Sequence, residues 1–169
     1  MRKLAEGLEE LRTAEGTPLP QNTLSELRRH LARLPMVGLI ARVLGVGVET
    51  ADMLVNEIFL RHWRDRKAVA RYAGLTGSPD EGGSRRRERG LARAGNVRVR
   101  SGMIQLAWRF VRFQKHSALA QWFAARTADG RAGTRKTMIV ALARKLLIAL
   151  WRLATRGEVP QGVVLRPAS

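Results

Sequence analysis

Two glycines one residue apart, in Gly45-Val46-Gly47, interrupt a stretch from Leu39 to Ile58 whose apolar residues otherwise recur at helical spacing. Leu39, Val43 and Leu44 give the first half an apolar face, and Ala51, Leu54, Val55 and Ile58 give the second half its own. The spacing predicts two short helices hinged on the Gly-Val-Gly turn. Without a Cβ at either glycine, the backbone is free to take positive φ and to approach another surface closely. Val46, between them, is placed to tuck back between the helices. The amides that open the second helix, near Val48 to Ala51, lack intrahelical partners and carry the positive end of a dipole. Such a turn suits an anion, and a nucleic-acid phosphate is the common one. The pattern is that of a helix-hairpin-helix, although a tight turn between core helices with no ligand has the same spacing.

Charge favours the anion. Lys and Arg total 31 against 14 Asp and Glu, a net +17, which exceeds what solubility needs and points to a polyanionic partner. Most of these cations are arginines, which fork onto phosphates and guanine edges better than lysine does. A basic composition inherited from a GC-rich genome is the plainer alternative. The apolar fraction of 45% is that of a folded chain, and 169 residues suffice for a real core. Cysteine is absent, which excludes disulfides and thiolate metal sites. His30, His62 and His116 are scattered without ligand spacing, so no metal and no cofactor is expected in this chain. The longest apolar run, Met138 to Leu153, is broken by Arg144, Lys145 and Arg152 and is too short to span a bilayer. With no signal peptide, the expected location is the cytoplasm, in association with the nucleoid.

Leu4, Leu8 and Leu11 stand at helical spacing, and Ala14 to Pro20 then breaks that helix with one glycine and two prolines. A second helix is expected from an N-cap at Asn22 or Thr23, with Leu24, Leu27, Leu31 and Leu34 as its stripe and Pro35 as its end. This pair reads as a coiled-coil-like arm over residues 1–34, preceding a helical domain over 35–169. His62 to Tyr72 predicts a short helix or turn with Trp63, Val69 and Tyr72 facing inward. Gly74 to Gly90 follows, seventeen residues with five glycines and one proline, which exclude a helix. A loop of that length in a compact domain is functional or disordered. Arg85, Arg86 and Arg87, with Arg89 beside them, would repel one another without an anion nearby. Residues 61–112 hold fourteen Arg or Lys against four acids.

A clear helix is expected after Asn96 as N-cap, carrying Val99, Met103, Leu106, Phe110 and Phe113, with Arg98, Arg100, Arg109 and Arg112 projecting elsewhere. Ser117 caps another helix with Leu119, Trp122 and Phe123. Ala128 to Gly133 is a polar break. Thr134 then opens the longest helix, with Ile139, Leu142, Leu146, Ala149 and Leu153 on its face and Gly157 at its end. Trp108, Trp122 and Trp151 read as core packing rather than base-stacking platforms. Apart from a possible short strand at Gly162 to Leu165, the fold class is all-α: a helix-hairpin-helix plus further helices with a long Gly/Arg-rich loop.

Candidate chemistry is sparse. Asp52, Glu57, Asp65 and Asp129 fall on different elements and do not form a two-metal acid cluster. No Walker loop or Ser-His-Asp set is present. The remaining place for chemistry is the arginine loop, with Ser78 and Ser84 in it and Ser101 in the helix after it. A serine among cations suits phosphoryl transfer, and it equally suits an ordinary phosphate-contacting loop.

Leu44-Gly-Val-Gly-Val-Glu-Thr-Ala51, Tyr72-Ala-Gly-Leu-Thr76, Gly95-Asn-Val-Arg-Val-Arg100, Ile139 to Arg152 and Gly157-Glu-Val-Pro160 occur in that order. Together they resemble the carboxy-terminal half of the insertion-sequence-one-ten transposases, the one-ten, one-sixteen and nine-oh-two group. Glu9-Glu-Leu-Arg and Gly16-Thr-Pro-Leu-Pro20 are similar to the linker before that family's coiled coil. The resemblance implies a DNA recombinase of an insertion sequence, guided by a structured RNA. It implies an RNase-H-like domain with four acids in addition to a helical domain that supplies a serine nucleophile. Relative to that pattern the acid-bearing domain is missing, and the segment between Leu31 and Val43 is short. Gly82 stands at the serine position, which leaves Ser84 as a weak substitute. The expectation is therefore a truncated, cleavage-deficient form that binds DNA. A non-enzymatic regulator that binds full-length transposase or its guide RNA is the alternative, and a homo-oligomer is also open. The nucleic-acid contacts expected are Gly45, Val46, Gly47, Thr50, Arg85, Arg86, Arg87, Asn96, Arg98 and Arg100.

Overall fold

A computed structural model describes residues 16–78, 89–91 and 95–168. The expected helix over Leu4 to Leu11 lies outside these residues, as do Gly82, Ser84, Arg85, Arg86 and Arg87. Among the described residues there are six α-helices, α1 Gln21–Ala41, α2 Val48–Leu54, α3 Arg66–Tyr72, α4 Val97–Phe113, α5 Ala118–Arg126 and α6 Ala132–Arg156. A single π-turn, Val55–Phe59, extends α2. A five-residue antiparallel ribbon, β1 Gly77–Ser78 and β2 Arg89–Leu91, closes the base of the Gly/Arg-rich loop with Gly77 opposite Leu91. The fold is all-α apart from that ribbon.

Helix α6 is the central element, about 37 Å long at 1.5 Å per residue. It packs against α4, α5, α1, α3 and the π-turn. Contact from so many sides explains its wide apolar face, which buries Ala143, Leu147 and Leu150 beyond the expected Ile139, Leu142, Leu146 and Leu153. Ala149 is only half-buried. The helix starts at Ala132, two residues before Thr134, because Asp129 organises the turn ahead of it. Asp129 accepts from the Arg131 amide at 3.1 Å and from the Thr134 hydroxyl at 2.9 Å. Gly157, at φ +71°, ends it as expected.

Pro35 does not end α1. The helix begins at Gln21, ahead of the expected cap, and runs through Pro35 to Ala41. A mid-helix proline costs ~3 kcal/mol. Packing offsets it here, since Ile40 is fully buried and Met36, Val37 and Leu39 lie against the core. The leucine stripe divides. Leu24 is buried, whereas Leu27, Leu31 and Leu34 are exposed to solvent.

Asn96 and Ser117 cap α4 and α5 through bonds to the amides of Val99 and Ala120. Val99, Met103, Leu106 and Phe110 are buried, but Phe113 is 49% exposed and lies over the Gly45 turn instead. Trp122 and Trp151 are partly buried against the core as expected, whereas Trp108 is exposed. Trp108 meets Phe123 edge-on at 6.1 Å beneath Arg135, and Trp122 lies under Lys145 and Arg126. Residues 162–165 form no strand of their own, and Leu165 pairs with Val43 in an isolated antiparallel bridge.

Candidate nucleic-acid interface

The two short helices expected around Gly45 are the end of α1 and the start of α2, joined by residues 42–47. Val46 is fully buried, and so are Val43, Ala51, Leu54, Val55 and Ile58. The glycines serve different purposes. Gly45 adopts φ +98° and its α-carbon faces Phe113, so a Cβ there would lie 3.3 Å from the Phe113 Cβ. Gly47 does not take positive φ; at φ −85° and ψ 159° it is the extended N-cap of α2. A Cβ on Gly47 would face the Arg109 guanidinium at 3.6 Å.

Two segments fix the turn, residues 164–166 and the end of α4. The Leu44 amide donates to the Val164 carbonyl at 3.1 Å, and the Arg166 amide donates to the Arg42 carbonyl at 2.6 Å. The Arg166 guanidinium donates to the carbonyls of Ala41 at 2.7 Å and Val46 at 3.1 Å, satisfying acceptors at the end of α1 and in the turn. Buried Gln114 at the end of α4 donates to the carbonyls of both Leu44 and Val164.

A groove of about 150 Å³ runs from this turn along α4. Glu49, Thr50 and Met53 of α2 line one wall, and Arg98, Gln105 and Arg109 of α4 line the other. Residues 98, 102, 105 and 109 recur at four, three and four, so one helix face carries them. Gly102 lets the helices close up, since a Cβ there would sit 2.8 Å from the Met53 methyl. The groove thus joins Thr50 with Arg98, and Arg109 in its lining faces Gly47. Its one acid, Glu49, opposes an anion, against the two arginines of the facing wall.

Asn96 has a different position from the one expected of a nucleic-acid contact. Its Oδ1 caps α4, and its Nδ2 donates to Glu57 at 3.0 Å and to the Tyr72 hydroxyl at 3.4 Å. Its amide donates to the Tyr72 carbonyl at 2.7 Å. Gly95 makes this joint possible. At φ +112° it lies so close to Gly74 that a Cβ would stand 2.6 Å from the Gly74 nitrogen. Arg98 reaches Glu57 only loosely, at 3.9 Å, and its side chain is 73% exposed. Arg100 is half-buried and does not line the groove, and Ser101 is exposed.

The isolated acids all have structural partners. Asp52 accepts two bonds from Arg33, one of them from Nε at 3.0 Å. Asp65 caps α3 by accepting from the Ala68 amide at 2.8 Å, which holds its carboxyl below the usual carboxylate range. Among the described residues no His, Asp and Glu cluster could hold a metal, and no helix is long and apolar enough to cross a membrane. Sequence reasoning missed Gln105 and Arg109 as groove residues. Their signal was the polar periodicity of α4 in phase with Arg98.

The transposase IS116/IS110/IS902 family matches residues 37–123, which contain the turn, the groove and the Gly95–Asn96 joint. The chain is also similar to y4rJ of Sinorhizobium fredii, a protein named as an inferred transposase. They are 37% identical over 194 residues, covering 94% of this chain and 49% of that protein. This chain therefore spans about half the length of that relative. No solved structure matches it.

Proposed function

Because the chain belongs to the IS116/IS110/IS902 transposase family, we propose that it serves transposition by holding DNA on the turn and groove between α2 and α4. The observation that carries this is the placement of the Arg109 guanidinium over Gly47, the N-cap of α2, at one end of a groove whose wall also bears Arg98. The opening amides of α2 and two guanidiniums then face one phosphate backbone as a helix-hairpin-helix does. Val46 anchors the turn from below, and Thr50 offers a hydroxyl at the groove wall. Arg85, Arg86 and Arg87 of the Gly/Arg-rich sequence are proposed to add phosphate contacts. Gly82, where the resemblance places a nucleophile, has no hydroxyl, so the proposed role is binding without strand cleavage.

Contacts of this kind read backbone rather than bases. Affinity for unrelated duplexes should be similar and should fall linearly with the logarithm of salt, with a slope of about −0.9 per phosphate neutralised. The test is titration of labelled duplexes across a salt series, for the chain and for Arg98→Gln/Arg109→Gln. A slope shallower by about 1.8 in the variant supports the reading. Unchanged affinity and slope would remove the groove from DNA binding.

A further inference from the structure

A second cationic surface lies between α3, α6 and the segment after α6, away from the turn and groove. It is a cleft of about 650 Å³. Arg66 and Lys67 stand on the α3 wall, and Arg144, Lys145 and Arg152 stand on the α6 wall. Residues 144, 148 and 152 follow one ridge of α6, which sets the two arginines about 12 Å apart along the helix. The apolar lining comes from Leu119, Ile148 and Val159.

Three features separate this cleft from an ordinary solvated face. First, its cations are largely uncompensated. Among the described residues none of Arg66, Lys67, Arg144 and Arg152 forms an ion pair, and the one acid in the lining, Glu158, is 3.6 Å from Arg156. Second, Arg66 and Lys67 occupy the first turn of α3, where the helix dipole disfavours cations. Helix stability alone would select acids there. Third, the charges converge from two walls onto a concave, partly apolar floor.

We propose that this cleft binds an unpaired nucleic-acid strand, with its phosphates on the five cations and its sugars and bases against Leu119, Ile148 and Val159. A cationic groove that follows a single backbone is the usual device for such strands. The convex surface of a rigid duplex meets only the rim of a cleft of about 650 Å³, whereas the sugars and bases of an extended strand can lie against its apolar floor. No aromatic ring lines the cleft, so recognition depends little on base identity. The site stands independently of the duplex-binding groove.

The experiment uses the full chain with labelled twelve-nucleotide strands, oligo-dT and oligo-rU, and a duplex of equal length, across a salt series. Arg144→Gln/Arg152→Gln should weaken single-strand binding at least tenfold and make the salt slope shallower by about 1.4, at 0.7 per charge for single strands. Its duplex affinity should change less than threefold. Arg66→Gln/Lys67→Gln tests the opposite wall, and both pairs are solvent-exposed or half-exposed, so circular dichroism should show an intact fold. Tighter binding of oligo-dT assigns the strand to DNA, and tighter binding of oligo-rU to RNA; either supports the site. Unchanged single-strand binding in both variants overturns it. Equal losses for strand and duplex would also overturn it, as would equally tight capture of oligo-glutamate, because the surface would then be an undifferentiated basic patch.

Discussion

The side-chain amide of Gln114 pairs with the backbone of Val164 in both directions, donating to its carbonyl at 2.9 Å and accepting from its amide at 2.9 Å. The same Nε2 donates to the Leu44 carbonyl at 2.8 Å. A glutamine at the end of α4 thereby replaces the missing neighbour strand for two segments far apart in sequence. Gln114→Leu keeps the volume and strips every one of these bonds. An unsatisfied buried polar group costs about 1–3 kcal/mol, so urea unfolding should show at least that loss. Because the turn is held through Leu44, duplex affinity measured well below the unfolding transition should fall as well. A stable variant with full affinity would mean that the residue 163–166 segment does not position the turn.

Pro35 offers a test in the opposite direction. It sits inside α1, where it cannot donate to the Leu31 carbonyl and where its ring crowds the preceding turn. Pro35→Ala should therefore stabilise the chain, by up to ~3 kcal/mol from helix propensity. The readout is the urea midpoint together with helical content, and both should rise. A neutral or destabilising result would indicate that α1 stops at residue 34 in solution.

The reason sequence pattern misplaced that boundary is instructive. Proline is a strong local signal, and the packing of Met36, Val37 and Ile40 against the core is a non-local one that only the fold supplies. Elements with local causes were legible: the caps at Asn96 and Ser117, the stop at Gly157, and the buried stripes of α4 and α6. Phe113 and Trp108 were misplaced because helical spacing gives a residue's face but not whether a neighbour covers it. The turn was visible as Gly-Val-Gly, yet Gly47 and Gly45 have different duties that depend on Arg109 and Phe113, more than sixty residues away. Long-range partners of that kind leave no local trace. The arginine loop, legible in the sequence, lies largely outside the described residues.

Asp65 gives the chain a predictable acid response. Its carboxyl is held below the ordinary value of 3.8, chiefly by the bond from the Ala68 amide, with Arg64 and Arg71 assisting. A folded-state value below the unfolded one means the carboxylate contributes stability above the unfolded pKa. That contribution is lost as pH falls through the folded value. The stability difference between the chain and Asp65→Asn should thus be constant above about pH 5 and shrink steadily below it. Urea midpoints at successive pH values would check this. A difference that grows on acidification has the wrong sign for a depressed carboxylate.

Substitutions at Gly45 and Gly47 should separate folding from the proposed binding. Gly45→Ala forces a side chain into φ +98° and against Phe113, and should destabilise the chain by about 1–2 kcal/mol from the backbone conformation alone. Gly47→Ala meets neither obstacle. Its φ of −85° suits any residue, and its Cβ would stand at ordinary contact distance from the Arg109 guanidinium. Stability should stay within about 1 kcal/mol, since the freedom lost by the unfolded chain offsets the preference of an N-cap for glycine over alanine. The added methyl nevertheless occupies the space between the turn backbone and Arg109, where a phosphate oxygen would sit. Duplex affinity should therefore drop by roughly tenfold, ~1.4 kcal/mol, in a protein that remains folded. Isothermal binding and thermal unfolding on the same sample would read both quantities. If Gly47→Ala binds duplex as the parent chain does, the phosphate does not approach the turn, and Arg98 and Arg109 bind DNA by charge alone.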